Sequence, residues 1–358
     1  MLRRLALLFC LTLLAACGQE TGGSNDTAND AVATAEPTAP PTEEAADAGE
    51  GVTAVASVYP LAWMAEAVAP GADVEYLAAR GQDPHDLELS PRQRGTLESA
   101  DVVAYLGAID FQPQVEAAVS DAGGEVVDVA DIVGDDALLH YDADAHSHDE
   151  EDAHGDDDHG HDDGGHGHDD DDAGEENDDH ADEGEAVDPH VWFDAGLMAQ
   201  VAERVGEAFA TADPDNAEAY RSNASEVAAE LEALDEEIAG LLGDCTFDEV
   251  IVSHEAYAYL LEPHGLEQHG VSGAGGHGEA TPQQIANLVD EVREQGIPAV
   301  LTEPVEGRAD AETVAREAGV ELIDIYSLDI VDDEQAAQGY PALLRQQADA
   351  VAQAAECG

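Results

Sequence analysis

The chain has no lysine. Its 11 basic residues are all arginine, set against 82 Asp and Glu in 358 residues, for a formal charge of −71. A surface so poor in cations repels phosphate backbones and anionic lipid headgroups, which excludes nucleic acid and electrostatic membrane docking as partners. Cations are its complementary ligands. The imbalance is not confined to a tail, because residues 51–140 and 188–358 together carry 52 acids and 9 Arg, still −43. An acid excess spread over folded segments is a halophile-like surface, in which salt screens self-repulsion. Cysteine is scarce, with four in all. The apolar run Leu5–Leu14 is too short to span a bilayer, which takes about 20 residues.

That run does have a purpose. Arg3 and Arg4 precede it and Leu14-Ala15-Ala16-Cys17 closes it, the order of a bacterial secretion signal. Small residues before a cysteine resemble the lipobox of bacterial lipoproteins, so residues 1–17 are expected to be a signal peptide with Cys17 lipidated. Residues 18–50 are rich in Gly, Ala, Thr, Pro and Glu without apolar period and read as a flexible linker. The expected location is extracytoplasmic, at the cell surface or in the periplasm, held to the membrane by lipid alone. Two of the four cysteines are used up in processing. Cys245 and Cys357 remain as an even pair in an oxidising compartment and are expected to form a disulfide.

From residue 51 short β-branched runs alternate with helical stretches. Val52–Val58, Asp73–Leu77, Asp101–Leu106 and Glu125–Val129 read as strands, with helices over 60–69, 91–100 and 111–120. The second half repeats this, with strands near 248–252, 266–271, 298–302 and 320–326 and helices near 255–262, 282–295, 309–318 and 340–356. Such alternation predicts an α/β fold of two lobes, each a four-stranded, mostly parallel sheet flanked by helices. Between them Pro214 and Gly243 bracket one helical stretch. Its apolar positions Tyr220, Val227, Leu231, Leu234, Ile238 and Leu241 form a single stripe. The expected division is an N-terminal lobe over 51–212, a long rigid linking helix over 213–243, and a C-terminal lobe over 244–358.

One segment breaks the pattern. Residues 141–187 hold 22 acids, no Arg and eight His: His146, His148, His154, His159, His161, His166, His168 and His180, with His140 at the edge. Without hydrophobic period it reads as a disordered His/Asp-rich loop in the first lobe. Imidazoles among carboxylates are ligands for Zn(II), Cu(II) or Ni(II), weak singly and numerous together, so these nine His form an auxiliary metal loop.

Three further His sit at turns after strands: Gly81-Gln82-Asp83-Pro84-His85-Asp86, Asp188-Pro189-His190-Val191-Trp192 and Ser253-His254-Glu255-Ala256-Tyr257. Ligands of open α/β sheets collect at the carboxyl ends of strands, so these turns can converge between the lobes. His264, His269 and His277 could add a weak surface metal site, although the reading as incidental surface residues is favoured. With Ser57-Val58-Tyr59-Pro60, Ala100-Asp101-Val102-Val103, Thr302-Glu303-Pro304 and Leu328-Asp329, the motifs resemble those of the metal-binding solute-binding proteins of bacterial ABC importers, specifically the zinc-uptake group. The resemblance runs from about residue 52 to the C-terminus and includes the acidic His-rich loop. It implies two (β/α) lobes joined by a long helix, with one metal in the cleft.

Matched motif to motif, His85, His190 and His254 take the ligand positions. The resemblance puts Asp329 in the fourth, although Ile330 follows where relatives commonly have proline. Glu303 and water are the alternatives. Three imidazoles with a carboxylate or water suit four-coordinate Zn(II), here a transported ligand rather than a cofactor. The function implied is non-enzymatic: a monomer that captures zinc and delivers it to an ABC permease and its ATPase. Two other readings stand beside it. One is a metal-buffering or adhesive surface lipoprotein. The other is a zinc hydrolase, which the lack of a His-Glu-x-x-His helix disfavours.

Overall fold

A computed structural model describes residues 51–78, 84–85, 87–107, 109, 111–142, 185–272, 280–304 and 307–358. The signal and linker, Cys17, His277 and the eight His of residues 146–180 lie outside the described residues. The first sheet comprises β1 (Thr53–Ala56), β2 (Asp73–Tyr76), β3 (Val102–Tyr105) and β4 (Glu125–Asp128), all parallel in the order β2-β1-β3-β4. Helices α1 (Tyr59–Val68), α2 (Pro91–Ser99) and α3 (Pro113–Val119) alternate with these strands. A two-stranded antiparallel hairpin follows, β5 (His140–Asp142) with β6 (Glu185–Val187), and after it α4 (Ala195–Ala212) and α5 (Ala217–Leu242).

The second sheet comprises β7 (Glu249–His254), β8 (Glu267–Ser272), β9 (Ala299–Thr302) and β10 (Glu321–Asp324), again all parallel, in the order β10-β9-β7-β8. Counted within its own lobe this is the same winding as the first sheet: the second strand lies to one side of the first, the third and fourth to the other. Helices α6 (Pro282–Gln295), α7 (Arg308–Ala318) and α8 (Tyr340–Ala354) complete it. All four residues of β3 and of β9 are buried, as a sheet covered on both faces requires.

Local chemistry sets the helix ends. Ser90 with Gln93, and Thr281 with Gln284, form capping boxes that start α2 and α6, each with proline in the first turn. The linking helix starts later than Pro214, which opens a 3₁₀ turn over Pro214–Asn216 before α5 begins at Ala217. Helix α5 packs on α1, α4 and α8, and residues of both sheets and of these helices share one buried core. At Gly206 an added Cβ would come within 2.4 Å of the Ala224 Cβ, so glycine is what lets α4 lie against α5. Cys245 and Cys357 form a disulfide that joins the end of this helical layer to the C-terminus. Among the described residues no helix is long and apolar enough to cross a membrane.

Candidate metal centre

The sheet order reverses beside β1 in the first lobe and beside β7 in the second, and side chains at such switch points face a crevice. His254 ends β7, Glu303 directly follows β9, and His85 lies in the segment after β2. His190 emerges from the hairpin and opens a buried 3₁₀ turn, Val191–Phe193. These three histidines meet. Each offers one ring nitrogen within 4.8 Å of the others, and the ring centroids stand 5.5 Å (His85 to His190), 5.9 Å (His85 to His254) and 5.2 Å (His190 to His254) apart. The Nε2 atoms of all three are shielded from solvent, and that of His190 has no hydrogen-bond partner.

Two of the rings are aimed by carboxylates. Nδ1 of His190 lies 2.7 Å from Oδ1 of Asp188, and Nδ1 of His254 lies 3.2 Å from Oε1 of Glu303. A carboxylate only accepts, so Nδ1 donates and Nε2 keeps its lone pair for the centre of the cluster. Tyr257 also donates to Oε1 of Glu303 at 2.7 Å, and the Glu303 amide donates to Ser253 Oγ at 2.9 Å. Gly307 (φ +62°) lies against the end of β7, where an added Cβ would stand 2.9 Å from the Ser253 carbonyl oxygen. His85 stacks edge-on against Phe111 with centroids 4.6 Å apart, while the Gln112 side chain donates to the Pro84 carbonyl at 3.2 Å.

Asp329 is buried beside this cluster but is not in the set of mutually close ligand atoms. Its Oδ1 accepts hydrogen bonds from Ser327 Oγ and the Ile330 amide. Leu328, just before it, sits at φ +65°, a conformation that β-carbon sterics disfavour. The carbonyl of Asp329 accepts from the Tyr76 hydroxyl and the Tyr59 amide of the first lobe, and the Trp192 indole donates to the Ser327 carbonyl at 2.7 Å. Burial pushes the Asp329 carboxyl up, with Glu303 adding to the rise and Ser327, His190 and His254 opposing it.

Of the sequence-predicted residues, His85, His190 and His254 are brought together, with Glu303 behind one ring and Asp329 alongside. His140 is exposed on β5. The reading of the sequence assigned no role to Asp188 or Tyr257. Asp188 carried a signal, an acid two residues before a histidine with proline between. Tyr257 carried none.

Like-built parallel sheets with three imidazoles converging between them define a metal-binding solute-binding protein. The chain belongs to the family of the periplasmic zinc-uptake complex component A (ZnuA), whose model matches residues 54–354. It is 24% identical over 306 residues to the manganese-binding lipoprotein MntA of Halalkalibacterium halodurans, covering 84% of this chain and 87% of that one. It is 26% identical over 347 residues to the high-affinity zinc uptake system protein ZnuA of Bacillus subtilis, covering 96% and 93%. The chain spans about half (54%) of the length of the zinc-binding protein AdcA of Streptococcus pyogenes. Its fold is that of the Zn(II)-bound ZnuA-like domain of Streptococcus pneumoniae AdcA, with a TM-score of 0.63 at 21% identity over 86% of this chain and all of that one.

Proposed function

We propose that the protein is the extracytoplasmic, lipid-anchored receptor of a zinc importer: it captures Zn(II) between its lobes and hands it to an ABC permease powered by an ATPase. The observation that carries this reading is the cluster of His85, His190 and His254, two of them with Nδ1 turned to a carboxylate. Zinc is bound by imidazole nitrogens at about 2.0–2.1 Å in four-coordinate sites, and carboxylates behind the rings fix their tautomer and raise their basicity. Asp329 supplies the fourth donor by a small movement of its side chain. It can do so because it is buried at the edge of the cluster and its backbone carbonyl is already held by Tyr76 and Tyr59 of the first lobe. No covalent chemistry is asked of the site. The His-rich segment gathers metal outside the cleft.

A relative named as manganese-binding makes the choice of ion the point to test. Three imidazoles favour zinc over manganese, whose preferred donors are oxygens. The experiment is a competitive titration of Zn(II) against Mn(II) with element analysis, on the whole chain and on a form lacking residues 143–184. A two-residue Asn-Gly turn in place of the deleted residues lets β5 and β6 stay paired. One tight zinc equivalent, retained after the deletion and not displaced by manganese, is expected. Loss of the tight site with the segment, or preference for manganese, overturns the reading.

A further inference from the structure

A second convergence of ligand-type side chains lies at the opposite end of β7. Residue 249 starts the strand that His254 ends, so the two are ~16 Å apart at about 3.3 Å per residue. Strand β8 lies beside β7 with His269 opposite Ile251, and Ile251 and Val271 pack on Leu288, Val289 and Val292 of α6. At the rim of that layer Glu249 of β7, His269 of β8 and Glu291 of α6 each place a ligand atom within 4.8 Å of the others. Nδ1 of His269 is 2.9 Å from Oε1 of Glu249 and 3.0 Å from Oε1 of Glu291.

Three ligand-type groups crowd one point here. One ring nitrogen carries at most one proton, so it cannot serve both carboxylates with a straight bond. Oε1 of Glu249 is sealed from solvent, with Nδ1 of His269 at contact distance. The arginine on the same helix does not reach the cluster: Arg293 is engaged by Asp290 and by the Glu317 carbonyl. Burial and then a hydrogen bond with Glu249 push the Glu291 carboxyl above its ordinary range, against the opposing pull of His269. Two acids held together in this way share a proton, which a bound cation would displace.

We propose that Glu249, His269 and Glu291 form a second divalent-cation site on the C-terminal sheet, separate from the cleft. A four-coordinate ion with bonds of about 2.0–2.1 Å spaces its ligands roughly 3.3 Å apart, so the observed contacts need to open by only a few tenths of an ångström. The His269 side chain is 42% exposed, which leaves the remaining coordination position to water and makes the site exchangeable. One imidazole with two carboxylates accepts harder ions than three imidazoles do, so Zn(II) and Mn(II) both fit. The ion would tie β7, β8 and α6 together and cancel the repulsion between the two acids.

Diffraction from crystals of the whole chain soaked in zinc chloride, recorded on both sides of the zinc absorption edge, tests this. The expected result is an anomalous peak bonded to His269 Nδ1 and to both glutamates, absent from crystals of Glu291→Gln. Circular dichroism of the variant, matching the parent, establishes that it folds. No peak at the cluster at millimolar zinc, a peak unchanged in Glu291→Gln, or an ion held through a neighbouring molecule overturns the proposal. The cleft is read separately in the same map, so failure of either site leaves the other standing.

Discussion

Oδ1 of Asp188 accepts two hydrogen bonds from His190, one from the backbone amide at 2.9 Å and one from ring Nδ1 at 2.7 Å. Backbone and ring are thereby fixed by one oxygen, and the proline between the two residues stiffens the turn. An asparagine there can turn its amide NH₂ toward Nδ1, which moves the ring proton to Nε2 and blocks ligation. Asp188→Asn is therefore expected to weaken zinc binding by about 10–100-fold, the usual cost of losing a partner behind a metal-bound histidine. Competition against a chromophoric chelator, in protein lacking residues 143–184, measures it. An unchanged affinity would mean that His190 does not ligate through Nε2.

The second ring is held through a longer chain. Tyr257 donates to the same Glu303 oxygen that faces Nδ1 of His254. Tyr257→Phe removes one buried bond to a charged acceptor, about 1.5–3 kcal/mol of stability, and leaves Glu303 in place. Thermal unfolding of the metal-free protein should report that loss, with a smaller effect on zinc affinity than Glu303→Gln. A Glu303→Gln variant that binds zinc normally would show that Glu303 does not orient His254.

Much of this architecture was readable in advance. Eight strands and most of the helices between them are legible because buried parallel strands are short apolar runs and most of their helices carry proline near the start. The helix expected over 255–262, by contrast, is only the short Ala258–Leu261 followed by a 3₁₀ turn, Glu262–His264. The long helix is legible from its stripe; its first turn, opened by Pro214, is 3₁₀, and α5 proper follows from Ala217. Helix α4 went unread although it runs from Ala195 to Ala212. It follows the Asp188–Trp192 motif and the 3₁₀ turn Val191–Phe193 directly, so no loop marks where it starts. The hairpin β5–β6 was hidden too, since three residues per strand are too few to show alternation. Within the site the imidazoles were legible as motifs. The carboxylate behind His254 was not assigned that role, because Glu303 lies 49 positions further along the chain.

The disulfide closes a long loop. Cys245 and Cys357 are 112 positions apart, and in the chain-entropy account a crosslink spanning ~100 residues contributes about 4.7 kcal/mol. The C-terminus is also tied by backbone bonds, Gly358 N to Asp244 O and Thr246 N to Ala355 O, which survive removal of the sulfurs. Replacing both cysteines by serine is accordingly expected to lower stability by about 2–4 kcal/mol in denaturant unfolding, while zinc affinity stays unchanged. A marked loss of affinity would mean that the bond shapes the cleft.

Asp329 separates the metal-free from the metal-bound protein by sign. Burial raises its carboxyl above the ordinary range, so as pH rises the unfolded chain loses this proton first and the folded metal-free protein carries the cost of a buried charge. This contribution is absent below the unfolded value, about 3.9, and is fully present above the raised folded value. Asp329→Asn removes it, so the metal-free variant should melt above the parent at neutral pH, with the gap closing on acidification. With zinc bound the order reverses, because the variant has lost a negatively charged donor. Affinity for zinc must also fall on acidification, since imidazole ligates only when neutral, with an ordinary value of about 6.5, and a raised carboxyl takes up its proton earlier than usual. Both groups act in the same direction, toward release in acid. Zinc titrations of parent and variant between neutral pH and about pH 5 would check this: a parent that holds zinc equally across that range contradicts ligation by these imidazoles.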